Sequence, residues 1–259
     1  MKIGISTGDK VTKIVALFRN LYNIVENVNI VLSKDNLYIQ GMNSTHVCLV
    51  EVRIKSDWFD SFDCEDEEIA VNTEMLFKVM NSWSEEYNIE LSSSDSDKLK
   101  INLTGKGKIS KCYELPIIIL DGENINTPDL EYDVDITLKS QELRDIVNEV
   151  VMFDSDVNLK CKEDVIKISS EGDYGKVTMD IKEGDILEYS VAIEEGGEIN
   201  MKLHGGYLLH CCNLNKINKS VEIHITNESP VKICYYLEED NEDKDNSVTF
   251  FIAPGLDEE

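Results

Sequence analysis

The chain has 259 residues, 42% of them hydrophobic, with 51 acidic residues against 25 basic ones and a net charge of −26. That apolar content excludes disorder of the whole chain, and no apolar run approaches the ~18 residues of a membrane span. No signal-peptide pattern follows Met1, so an intracellular protein is expected; taken alone, the charge argues against nucleic-acid binding, which wants a basic surface.

Val11, Ile14, Val15, Phe18, Leu21, Tyr22 and Val25 recur at helical spacing and predict an amphipathic helix with Asp9 as its N-cap. Residues 28–39 (VNIVLSKDNLYI) read as strand, tight polar turn, strand. Strands follow at 46–54 and 68–71, a second helix at 73–83, and strands at 88–91 and 98–103. Residues 116–132 begin on Pro116 and an apolar patch, then turn polar, as a partly extended connector does. Leu143, Ile146, Val147, Val150 and Val151 predict a third helix opened by Ser140. Residues 157–168 (VNLKCKEDVIKI) again read strand, turn, strand. Strands are expected at 176–181 and 188–193, then a fourth helix at 204–214, where Gly205 and Gly206 lower the propensity. Strands at 221–225 and 231–237 close the pattern. The polar runs 92–97 and 238–246 read as solvated turns.

Segments 28–39 and 157–168 align without a gap at an offset of 129, half the chain, with Val28/Val157, Asn29/Asn158, Asp35/Asp164 and Ile39/Ile168 identical. The elements around them recur in the same order. The expected fold class is therefore α+β, with two similar β-rich domains carrying short helices: 1–115, a connector over 116–133, and 134–259.

The charge is unevenly spread. Residues 10–25, 75–84 and 199–221 contain no acid, and they carry Lys10, Lys13 and Arg19, then Lys78, then Lys202, Lys216 and Lys219. Three of the four predicted helices thus fall in acid-free windows, as expected for a surface that follows a phosphate backbone without reading bases. The third helix breaks the pattern, because Arg144 stands among Glu142, Asp145 and Glu149. Catalytic motifs are missing: GKGK at 105–108 has the wrong spacing for a phosphate loop, and neither G-x-S-x-G nor H-E-x-x-H occurs. The seven cysteines form no C-x-x-C and read as free, mostly buried thiols. No catalytic residue, metal or cofactor is expected.

Residues 37–50 (LYIQGMNSTHVCLV), 58–64 (WFDSFDC) and 250–254 (FFIAP, followed by Gly255, Leu256 and an acidic end) resemble the proliferating cell nuclear antigen family. The Q-x-M-[DN]-x-[ST]-H-V segment and the aromatic-[IL]-A-P end are specific in combination. The resemblance implies a clamp fold in a closed ring of three subunits, with helices lining a channel for duplex DNA and sheets outside. By position it implies DNA-facing roles for Lys10, Lys13, Arg19, Lys78, Arg144, Lys216 and Lys219. Asn81, Gly206 and Asn213 stand where basic residues are usual, so a less positive channel is expected. It implies partner-peptide contacts at Met42, His46, Val47, Ile125, Thr127, Pro128, Tyr132, Pro230, Phe251, Ile252, Ala253 and Pro254. Subunits are expected to pair along the edges 108–113 and 176–181, involving Lys108, Tyr113, Lys176, Met179 and Ile181. Glu163 occupies the family's modified-lysine position. Implied partners are DNA polymerase, other proteins carrying the interacting peptide, and a clamp loader. The expected location is the nucleus, or a viral replication compartment. A clamp-like scaffold that no longer encircles DNA, and an unrelated two-domain enzyme, are the alternatives.

Overall fold

A computed structural model of the chain describes all residues except 7, 94–96, 121–124, 128–129, 195, 239–243 and 256–259. The chain divides into two compact units, one of Met1–Ser44, Val50–Ile125 and Tyr236–Val248, the other of Thr45–Leu49, Asn126–Tyr235 and Thr249–Glu259.

The first unit runs β1 (Lys2–Ile5), α1 (Asp9–Leu21), β2 (Asn27–Leu32), β3 (Asn36–Met42), β4 (Cys48–Lys55), β5 (Ser61–Asp63), β6 (Glu67–Asn72), α2 (Thr73–Asn81), β7 (Asn88–Ser92), β8 (Lys98–Thr104) and β9 (Lys111–Pro116). One antiparallel sheet has the order β5–β1–β7–β8–β9, and a second set runs β4–β3–β2–β6. Period-2 alternation places Ile3, Ile5, Ile89, Leu91, Leu99, Ile101 and Leu103 in the core, the pattern of a sheet covered on one face.

The second unit continues with β10 (Val134–Lys139), α3 (Ser140–Val150), β11 (Asp156–Cys161), β12 (Val165–Gly172), β13 (Gly175–Lys182), β14 (Glu188–Val191), β15 (Ile199–His204), α4 (Gly205–Cys212), β16 (Ser220–Ile225) and β17 (Val231–Tyr236), and the last strand is β18 (Ser247–Ile252). Here the orders are β14–β10–β16–β17 and β13–β12–β11–β15.

The internal repeat is visible bond by bond. Ser33 N donates to Asn36 O at 3.0 Å, and Lys162 N donates to Val165 O at 3.0 Å; both donors and both acceptors are 129 positions apart (162 − 33 and 165 − 36). Thr73 N bonds Glu26 O and Gly205 N bonds Ser155 O, so the residue just before each hairpin's first strand receives the start of the second helix of its half.

Two helix starts differ from expectation. Asp9 is the first helical residue of α1 rather than its cap, and Gly8 takes that position at φ 135°. Ser140 is likewise inside α3, its hydroxyl donating to Asn218 O at 2.5 Å instead of capping. Asn72 does cap α2, accepting from Met75 N at 3.2 Å. The helix at α4 is shorter than predicted, yet Gly205 is required there: a Cβ would lie 2.7 Å from Val151 Cγ1 and 3.0 Å from Ser155 O. Strands β1, β5, β10, β15 and β18 differ from expectation, in that no strand was predicted there. Strand β15 lies in the acid-free window ahead of the predicted fourth helix.

Candidate functional site

The predicted DNA-facing cations of the first unit sit on α1 and α2. Helix α1 buries Val11, Ile14, Val15, Phe18 and Leu21 of the expected stripe, and with them Leu17 and Lys13, whereas Tyr22, expected on the same stripe, is 44% exposed. Lys13 is only 8% exposed, unlike the open, DNA-facing position expected for it. Its Nζ donates to Leu237 O at 2.7 Å and pairs with Asp9 at 2.6 Å. The cause is the segment Tyr236–Val248, which belongs to the same unit and supplies an acceptor that helical periodicity does not reveal. Arg19 is half-buried and donates to Met80 O at 2.7 Å, satisfying a carbonyl near the end of α2. Burial lowers the Arg19 pKa from its ordinary value. Lys10 donates to Trp58 O at 2.5 Å and lies over the Trp58 ring, 5.3 Å from its centre. Lys78 is exposed and pairs with Glu74 at 2.7 Å. Each of these four cations therefore has an acceptor within its own unit.

In the second unit, α3 exposes Gln141, Glu142, Asp145 and Glu149, while Arg144 is half-buried with its Nε buried and unbonded. Lys139 pairs with Glu142 at 2.7 Å. Lys216 and Lys219, which follow α4, are exposed. The exposed charge of α3 is thus acidic, and the exposed positive charge beyond α4 lies in the turn before β16.

Two sheets end in strands with an open edge. Strand β9 closes the five-strand order, and β13 closes the four-strand order. The first begins at Lys111, not Lys108, because Gly105–Lys108 forms a turn with Lys108 N bonded to Gly105 O at 3.1 Å and Gly107 at φ 73°. Lys108 is exposed and pairs with Glu86 at 2.5 Å. Tyr113 donates to Ser82 Oγ at 2.8 Å. On β13, Lys176 is exposed and pairs with Glu171 at 2.7 Å, Met179 is half-buried, and Ile181 is buried. Ile181 therefore packs beneath the edge rather than presenting itself on it. Beside β13 lies a cavity of about 350 Å³ with Leu138, Ile146, Met179 and Ile181 in its wall and Glu142, Asp145, Glu149, Asp180 and Asp185 around it.

The family model for the N-terminal domain of proliferating cell nuclear antigen matches residues 5–124, and the model for its C-terminal domain matches residues 126–254. The chain belongs to the proliferating cell nuclear antigen family. Proliferating cell nuclear antigen of Chaetomium thermophilum is 26% identical over 243 residues, covering 90% of this chain and 91% of that protein. The DNA polymerase sliding clamp of Methanothermobacter thermautotrophicus is 22% identical over 244 residues, 93% of each. Among solved structures, the PCNA2–PCNA3 complex of Sulfolobus tokodaii gives a TM-score of 0.86 at 19% identity, covering 98% of this chain and 99% of that one. Proliferating cell nuclear antigen of Entamoeba histolytica gives 0.86 at 17% identity, with 98% of each covered. At these identities the structural likeness speaks for the fold alone.

Of the peptide-contact positions implied by resemblance to the proliferating cell nuclear antigen family, the first unit holds Met42, half-buried, and Ile125, 43% exposed. The second holds His46, exposed with φ 58°, and Val47, Thr127, Tyr132, Pro230, Phe251, Ala253 and Pro254, all half-buried. Ala253 N donates to Val47 O at 2.8 Å, bringing two of these segments together. Ile252 is fully buried, so its side chain belongs to the core, as the inward position of an alternating strand requires. Pro128 lies outside the described residues. Tyr132 stacks at a tilt on His224, ring centres 5.4 Å apart, and Lys232 lies over its ring at 5.8 Å. His224 bonds Asp135 at 2.6 Å and faces Glu222 at 3.5 Å. Burial opposes its charge, but contacts with Cys234, Glu222 and Asp135 lift its pKa to about 10.

Two residues near these positions escaped the sequence reading. Tyr207 shares a hydrogen bond of 3.2 Å with Thr45. Gln40, 7% exposed, bonds the main chain of Ile125 through both ends of its amide. The available signal for Gln40 was its place beside Ile39 in the buried stretch of β3, since a buried amide must find partners.

Proposed function

We propose that three copies of this chain close into a ring around duplex DNA, where it serves as a sliding clamp. It is a non-catalytic processivity factor: enclosure holds it on DNA, and its outer surface tethers DNA polymerase and other proteins that carry the interacting peptide. The observation that carries this reading is the tandem match of both clamp domains along nearly the whole chain. The open edges support it. Lys106, Lys108 and Lys111 cluster at and before β9, whereas acids surround the cavity beside β13. A β9 edge of one copy meeting a β13 edge of the next satisfies the unpaired backbone groups of both and closes by symmetry. An ATP-driven loader opens the ring, and the site of work is the nucleus or a viral replication compartment.

Absolute mass by light scattering at several concentrations tests the ring. The expected value is three times the chain mass of 29.4 kDa, stable on dilution; a value of one chain mass throughout overturns the stable ring.

A second reading is a scaffold that binds protein partners without encircling DNA. It is favoured by the pairing of Lys10, Lys13, Arg19 and Lys78 within their own unit and by the acidic face of α3. Loss of polymerase stimulation on circular primed DNA, with peptide binding kept, selects the scaffold.

A further inference from the structure

We propose that Gln40 is a positioning residue for partner binding, holding Ile125 where an incoming peptide meets it; this rests on the peptide-binding reading above. Gln40 is nearly buried on β3. Its Nε2 donates to Ile125 O at 2.7 Å, and its Oε1 accepts from Ile125 N at 2.7 Å. A primary amide offers a donor and an acceptor side by side, so one side chain takes the place of a neighbouring strand and pairs both main-chain groups of Ile125.

The placement of this clasp is specific. Gln40 pairs with Asn29 on β2, and Asn29 pairs with Ala70 on β6, so the three residues form one row across the sheet. At the β6 end of that row, Ile118 N donates to Ala70 O at 2.9 Å. The stretch after β9 is therefore tied twice to one row, by backbone at Ile118 and by the Gln40 amide at Ile125, about 10 Å away at ordinary strand spacing. Only the second tie depends on a side chain. It fixes the main chain of Ile125 while leaving the Ile125 side chain 43% exposed. An apolar side chain presented from a fixed main chain receives an aromatic anchor without an ordering cost at binding.

The test uses the full chain and a fluorescein-labelled synthetic interacting peptide with aromatic anchors. Gln40→Leu keeps the bulk and removes both bonds. Its expected result is about tenfold weaker peptide binding, with the mass in solution unchanged and with faster hydrogen exchange at the Ile125 amide in the peptide-free protein. Gln40→Glu supplies a second readout. As a carboxylate it accepts from Ile125 N but repels Ile125 O; once protonated, it both donates and accepts. Its affinity relative to the unmutated chain at the same pH is expected to be low at pH 8 and to recover toward pH 5, which a merely structural role does not produce. Peptide binding by the unmutated chain with equal binding by Gln40→Leu overturns the positioning role and leaves the peptide site standing. No binding by the unmutated chain overturns both.

Discussion

Lys13 donates its ammonium group to the main-chain carbonyl of Leu237 at 2.7 Å, a contact across 224 positions of sequence within one compact unit. The same nitrogen pairs with Asp9. A charged donor on a buried carbonyl is worth about 1.5–3 kcal/mol, whereas an ammonium held this way has little left for a phosphate. Lys13→Met is therefore expected to lower the stability read by urea denaturation by about that amount. DNA affinity measured by fluorescence anisotropy should stay within about twofold. A large loss of affinity with unchanged stability would return Lys13 to the DNA-contact set.

The face of α3 leads to the opposite expectation. Glu142, Asp145 and Glu149 are exposed there, and each repels a passing phosphate to a degree set by salt. The same three carboxylates border the cavity beside β13, so the variant is compared at equal light-scattering mass; replacing all three by their amides is then expected to strengthen DNA association severalfold at ~50 mM salt. The gain should shrink toward nothing at ~300 mM, where the Debye length falls below ~6 Å. If affinity does not change at low salt, α3 does not face DNA.

His224 ties stability to alkaline pH. Its pKa is lifted from 6.5 to about 10 in the folded chain, because contacts with Cys234, Glu222 and Asp135 outweigh the burial that opposes its charge. A raised folded-state pKa gives stability that is fully present below pH 6.5 and is lost progressively as pH rises toward 10. The urea midpoint of the unmutated chain should accordingly fall across that window. His224→Gln should start lower and show a flatter profile. Parallel profiles for the two proteins would remove His224 as the cause.

The sequence revealed what is periodic. The two hairpins at 28–39 and 157–168 were legible because strand alternation and a four-residue turn leave the same trace twice, and their turn bonds recur at the same offset. Helices α1 and α3 were legible from their apolar stripes, and α2 was placed at 73–83 against the observed Thr73–Asn81. The misplaced residues share a physical cause: their partners are distant in sequence. Lys13 reads as DNA-facing until Leu237 lies beside it. Ser140 reads as a cap until Asn218 takes its hydroxyl. Gln40 reads as one letter of a motif until Ile125 is bonded to it. Strand β15 was hidden because residues 199–203 drew attention only for their lack of acids, although its buried positions Ile199, Met201 and Leu203 alternate. Ile252 was assigned to a binding surface by resemblance, and its strand turns it inward.

Ile109 carries the last expectation. It is 83% exposed between the turn at Gly105–Lys108 and the start of β9, with Lys108 and Lys111 on either side. A bare apolar side chain among cations complements, in polarity and charge, the cavity of about 350 Å³ beside β13, with its apolar wall and surrounding carboxylates. In the proposed ring these two surfaces meet between copies. Ile109→Asp would bring a further carboxylate against Glu142, Asp145, Glu149, Asp180 and Asp185, and like charges brought together at an interface are costly. The expected outcome is a shift in light-scattering mass from three chains toward one, with far-ultraviolet circular dichroism unchanged. Ile109→Val keeps the apolar contact and should keep the ring. Since the introduced repulsion is electrostatic, added salt should restore part of the trimer in Ile109→Asp. A trimer that survives the substitution at low salt would place Ile109 away from the contact between copies.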